Sequence, residues 1–198
     1  MMKKILIVIF VASLLYSCKE EGVFTPKPRM FPRVEFPAKA YNEFDIEACH
    51  FTFQKPEYAT IKTGISFFGE KAKNPCWFDL EIKKLNASLH FSYTKIEGDN
   101  TLEKLVTDAF KIVEEHNAKA KYREEALIEN KNGVKGLMFN LEGPVASPIN
   151  FFLTDTTSHF VRASLYFNSV VNPDSTQIVL DFVSKDVDKI LSTFAWKE

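Results

Sequence analysis

Charge of one sign is what this sequence has least of: 25 Lys and Arg stand against 26 Asp and Glu. A chain so balanced carries no basic field, which excludes nucleic acid as its main partner. Seven glycines and nine prolines are too few for a low-complexity chain, and no internal repeat of about 20–50 residues is visible. The sequence also lacks a Gly-x-Ser-x-Gly elbow, an HExxH helix and a phosphate-binding glycine loop. His50, His90, His116 and His159 show no metal-ligand spacing. These absences favour a protein with no cofactor, no metal and no catalytic role. Apolar residues, by contrast, are plentiful: 45% of the chain is hydrophobic, with 19 phenylalanines. That is ample material for a packed core.

The long apolar run lies at the start. Lys3 and Lys4 precede Ile5–Leu15, a short positive region followed by a run too short for a comfortable membrane span. Residues 1–17 therefore read as a signal peptide. Its end, Leu15-Tyr16-Ser17-Cys18, resembles the lipobox of bacterial lipoproteins, with Tyr16 bulkier than usual. That resemblance implies cleavage before Cys18 and diacylglyceryl transfer to its thiol; an ordinary secretory signal is the alternative. Several acyl chains on one cysteine anchor stably, each buried methylene contributing about 0.8 kcal/mol. Cys18-Lys19-Glu20-Glu21 resembles a surface-export signal of some Bacteroidetes lipoproteins, or is a solvated charged start. Residues 18–40 hold Pro26, Pro28, Pro32 and Pro37, and read as an extended tether. Val34-Glu35-Phe36 could instead add an edge strand.

Residues 41–198 read as one α+β globular domain. Strands are expected at Phe44–Gln54, Ala59–Phe68, Trp77–Ile82 and around Leu89–Tyr93. A helix capped within Asp99–Thr101 should run to about His116, its stripe being Leu102, Leu105, Val106, Ala109 and Val113. Tyr122–Glu129 and Val134–Leu141 flank Lys131-Asn132-Gly133, a strong hairpin signal. A second hairpin joins Ile149–Thr154 to His159–Asn168 through Asp155–Ser158. A turn at Asn172–Ser175, a last strand at Gln177–Val183 and a helix capped by Ser184 complete the expectation. The sum is an antiparallel sheet covered by two helices, an α+β sandwich whose element order resembles the Mog1/PsbP-like architecture.

Few side chains are candidates for chemistry. Cys49 and Cys76 border predicted strands in an exported chain, so they are either a disulfide or a pair of buried thiols. No Cys-x-x-Cys accompanies them, which argues against a catalytic thiol. Asp155, His159 and Arg162 crowd one hairpin end and could form an acid–base or anion-binding cluster, or be solvated hairpin residues. Asp155-Thr156-Thr157 and Asp174-Ser175-Thr176 resemble the Bacteroidetes O-glycosylation pattern, with Thr156 and Ser175 as acceptors; both are also ordinary turn sequences.

Taken in order, several segments resemble the gliding-motility lipoprotein family GldD of Bacteroidetes. They are the lipobox at Cys18, Thr25-Pro26-Lys27-Pro28-Arg29, Cys49 with Phe51 and Phe53, and Cys76-Trp77. Phe151–Asp155 with His159-Phe160 and Arg162, Leu165–Asn168, and Phe194-Ala195-Trp196 extend the match over the mature chain. His50 departs from the family, which usually has proline after the first cysteine. The resemblance implies a role in gliding and the associated type IX secretion machinery, as a membrane-anchored envelope component. It faces the periplasm, or alternatively the cell surface. The expected function is a non-catalytic assembly subunit, held to the membrane by its lipid and bound to other gliding and secretion proteins. Trp77, Asp155, His159 and Arg162 are its expected contact surface. The alternative is a ligand-binding or hydrolytic lipoprotein acting on glycan or peptide.

Overall fold

The computed structural model describes residues 33–64, 66, 67, 70, 71, 74–169 and 171–197; the signal peptide, Cys18 and the tether to residue 32 lie outside them. Seven strands make one antiparallel sheet. In chain order they are β3 (Thr60–Thr63), β6 (Phe78–Ile82), β7 (Ala87–Lys95), β8 (Tyr122–Glu129), β9 (Lys135–Glu142), β10 (Ile149–Thr154) and β11 (His159–Phe167). Their spatial order is β3-β6-β7-β11-β10-β9-β8, so the β10–β11 hairpin lies at the centre. A small sheet joins β1 (Tyr41–Phe44), β2 (Phe51–Pro56) and β12 (Ala195–Trp196), with β2 in the middle. β4 (Ser66–Phe67) and β5 (Glu70–Lys71) pair as a short ribbon.

Two helices among the described residues, α1 (Leu102–Asn117) and α2 (Pro173–Thr193), bury opposite faces of the large sheet. Ala109 and Val113 of α1 pack on Phe139, Leu141, Phe152 and Phe160. On the other face Leu89, Phe91, Phe151 and Val161 meet Phe44, Phe51 and Phe53 of the small sheet and Val183, Val187 and Ile190 of α2. Every residue of β10 is buried, as a strand covered on both faces must be. The many phenylalanines form a column through this core: Phe44 lies 4.5 Å from Phe53 and 4.7 Å from Phe78, and Phe78 lies 4.8 Å from Phe91.

Five expectations are corrected. The strand expected at Gln177–Val183 is helical, part of a single α2 that begins with Pro173 in its first turn. Its run of Ile178, Val179 and Val183 has the composition of a strand, yet Val179, Val183, Val187 and Ile190 recur at helical spacing on one buried face. Each valine costs the helix a few tenths of a kcal/mol, and burying it returns about 2 kcal/mol. Ser184 sits inside that helix and its hydroxyl donates to the Asp181 carbonyl. Phe44–Gln54 is two strands, β1 and β2, separated by a turn, and Ala59–Phe68 breaks at Gly64, where φ is +68°. Val34-Glu35-Phe36 adds no strand. The expected helix cap is Thr101, whose hydroxyl accepts from the Lys104 N–H.

Three side-chain contacts fix the layers on one another. Asn130, before the β8–β9 turn, donates to the Leu191 and Phe194 carbonyls, and Asn132 donates to Phe194 as well. The hairpin thereby satisfies carbonyls that the end of α2 leaves unpaired. Gly136 leaves room for its neighbour strand, since a Cβ there would stand 2.0 Å from the Phe152 carbonyl oxygen.

Candidate functional site

The β10–β11 end is built by its own polar side chains. Asp155 Oδ1 accepts from the backbone N–H groups of Thr157 (3.0 Å), Ser158 (2.8 Å) and His159 (2.8 Å). The Thr154 hydroxyl donates to the His159 carbonyl and accepts from the Thr156 N–H, each at 2.8 Å. Between them Thr156 takes a left-handed φ of 69°. Partial burial pushes the Asp155 carboxyl up, but the three N–H donors and the His159 ring overcome this and hold it below the usual carboxylate range. The acid is therefore spent on the turn.

His159 turns toward the small sheet. Its ring stacks between His50, 5.2 Å away, and Trp196, 5.3 Å away, each interplanar angle being 22°. Nδ1 is hydrogen-bonded to the Tyr93 hydroxyl at 2.7 Å. Burial, assisted by His50 and Lys95 and opposed by Asp155, lowers the His159 pKa; burial likewise raises that of Tyr93. Trp77 joins from the other end of the same tyrosine, its indole N–H donating to the Tyr93 carbonyl at 2.6 Å. Beside this column Cys49 and Cys76 form a disulfide, with Cα atoms 5.5 Å apart.

Arg162 lies elsewhere. His159 is on the small-sheet face of β11, whereas Arg162, an odd number of residues on, faces α1 with Phe160 and Ser164. Burial lowers its pKa, against the pull of Tyr166 and Asp108. The three groups of the expected cluster thus do not converge, and the four expected contact residues do not share one surface. On the α1 face His116 Nε2 is 2.8 Å from the Tyr166 hydroxyl, and His90 Nδ1 is 2.5 Å from Asp79 Oδ1. Burial lowers the His116 pKa, with Glu115 opposing. Among the described residues no group of three His, Cys, Asp or Glu side chains is placed to hold a metal. Thr156 is exposed at its turn; Ser175, half-buried, donates to the Asn172 carbonyl in the first turn of α2.

One constellation had no sequence signal. Asp186, 1% exposed on α2, accepts from Lys39 at 2.6 Å and from the hydroxyls of Tyr41 at 2.9 Å and Tyr58 at 2.5 Å. Lys39 also donates to the Phe182 carbonyl at 2.9 Å and lies over the Phe182 ring, on which Phe36 stacks at 4.4 Å. Burial, reinforced by Asp186, pushes Tyr41 up to about 12 and Tyr58 higher still. Burial also lowers Lys39, against the hydrogen bond it donates to Asp186. Residues 34–39, expected in the tether, are part of the domain's packing.

An antiparallel sheet packed between two helices and stapled by a disulfide is an α+β sandwich suited to an oxidising compartment. The chain belongs to the gliding motility lipoprotein GldD family, whose model matches residues 21–196. Its role is accordingly in gliding motility, as a membrane-anchored lipoprotein of the cell envelope. No curated protein matches it in sequence. Among solved structures it is similar to cyanobacterial PsbP (CyanoP) from Synechocystis sp. PCC 6803, at 13% identity and a TM-score of 0.45, over 81% of this chain and 94% of that one.

Proposed function

We propose that the protein is a non-catalytic assembly subunit of the gliding apparatus and the associated type IX secretion machinery. Lipid on Cys18 holds it in a membrane, and the domain binds another envelope protein from the periplasmic side. The observation that carries this reading is the fate of the polar hairpin end. Asp155 Oδ1 is held by three backbone donors, His159 is stacked between two rings, and Arg162 is on the opposite face. Acid–base work needs such groups to converge on one reacting atom. What the domain offers instead is exposed surface on a packed sandwich, which suits recognition of a protein.

The test is in-cell chemical crosslinking of an affinity-tagged full-length chain, with mass spectrometry of what co-purifies from membranes. The expected result is one reproducible envelope protein, recovered from the wild type and depleted when Cys18→Ser removes the anchor. Recovery of the lipoprotein alone, with full motility restored by the Cys18→Ser chain, overturns the reading.

A further inference from the structure

Strand β8 closes one end of the seven-stranded sheet, and among the described residues it pairs with β9 alone. The pairing runs unbroken from Tyr122↔Glu142 to Glu129↔Lys135, so β8 is straight, eight residues long and free of bulges. It contains no proline; Leu127 toward its end is 89% exposed, and Tyr122 at its start 57%. Alternate N–H and C=O groups of such an edge point outward, ready to pair with another extended chain. Protected edges are short, bulged, proline-bearing or shielded by lysine. β8 lacks the first three, and the charges that shield it are Glu124, Glu125, Glu129 and Arg123 in place of lysine.

Its charges say which chain would fit. β8 carries Glu124, Glu125 and Glu129 against Arg123 alone, and Arg123 is already paired with Glu114 and Glu125. Glu124, on the α2 side of the strand, also lines an open cleft of about 850 Å³ between β8–β9 and the first half of α2. Glu142, Asp174 and Asp181 line that cleft too, with Lys121 as the one cation among its described lining residues. A strand laid along β8 would send alternate side chains over this acidic cleft and the rest over Leu127 and Arg123. Two copies of β8 would set three acids of one edge against three of the other, which disfavours self-pairing.

We infer that β8 is a strand-addition site for an extended, net-basic segment of a partner protein, with Lys or Arg at the alternate positions that face the cleft and an apolar residue against Leu127. Main-chain hydrogen bonds supply the affinity and the cleft selects the cations. This rests on the reading of the protein as an assembly subunit and names the surface it uses.

The test places a photo-reactive benzoylphenylalanine at position 127 of the full-length chain, in the native membrane. A second chain carries the same group at position 178, on the exposed side of α2. The expected result is an adduct from 127 alone, whose partner peptide bears Lys or Arg at every second residue. Glu124→Lys/Glu142→Lys, both at exposed positions, should lower its yield about tenfold through charge reversal. Leu127→Ser, free of charge effects, should weaken chemical crosslinking of the same peptide. An adduct with a second copy, or with an acidic or neutral peptide indifferent to the charge reversal, overturns the inference. So does silence at 127 while chemical crosslinking still recovers an envelope partner, an outcome that leaves the assembly reading standing. Silence in both experiments removes both.

Discussion

Asp155 acts on its own backbone. A carboxylate accepting three N–H donors in one turn resembles a helix N-cap, and its removal leaves those donors to find water. Asp155→Ala should cost about 1–2 kcal/mol, read by chemical denaturation. Because its folded pKa is lowered, this contribution is complete above the unfolded value near 3.9 and is lost as pH falls through the folded one. The histidines act at a higher pH. His116 and His159 both have lowered values, so the fold prefers them neutral. Their contribution is complete above the unfolded value of about 6.5 and drains away on acidification, until the folded rings titrate as well. His116→Gln/His159→Gln should therefore flatten the fall in stability between about pH 7 and pH 5, measured as midpoint against pH. A lowered midpoint with an unchanged slope would show that these rings do not carry it. The polar grouping of Asp155, His159 and Arg162 was legible from composition. Its dissolution follows from strand alternation, which places His159 and Arg162 on opposite faces.

At the scale of elements, hairpins are set by neighbours in sequence, and both expected ones stand where their turn residues place them: β8 spans Tyr122–Glu129 and β10 Ile149–Thr154. Residues 177–183 were misleading because β-branched composition and helical spacing coexist there, and the spacing decides once a sheet is available to pack against. The Lys39–Asp186 clamp had no local signal at all, its partners being 147 residues apart. It holds residues 34–39 against α2. Asp186→Ala would leave the Lys39 ammonium and two tyrosine hydroxyls without their acceptor, at a cost of about 3 kcal/mol. Limited proteolysis should then cut before β1, while the amide exchange of β10 and β11 stays slow. Uniform loss of protection would mean that the clamp supports the whole core.

For the molecule as a whole, the sequence carried the α+β class, the two covering helices and the family, because each is written in periodicity or in motifs spread along the chain. It did not carry the second, three-stranded sheet. β12 is two residues long and joins β2 across the chain, Trp196 opposite Phe51, and nothing in so short a segment marks it as a strand. That small sheet is the part stapled by Cys49–Cys76, whose sequence separation of 27 residues corresponds to about 3.5 kcal/mol of loop entropy. Cys49→Ala/Cys76→Ala should lower stability by about that amount, and a reductant should do the same to the wild type and nothing further to the variant. A wild type indifferent to reductant would place the constraint elsewhere.

The clamp on α2 has a mechanical consequence. A pull exerted at Arg33 would travel inward one contact at a time, loading first the stack of Phe36 on Phe182 and next the Lys39–Asp186 ion pair, before reaching β1. Because the clamp is made on α2, tension arriving there is passed to a helix seated on the main sheet. The edge of the three-stranded sheet is thereby spared a peeling load. Under such a pull the Phe36–Phe182 stack and the Lys39–Asp186 ion pair would break ahead of the pairing of β1 with β2.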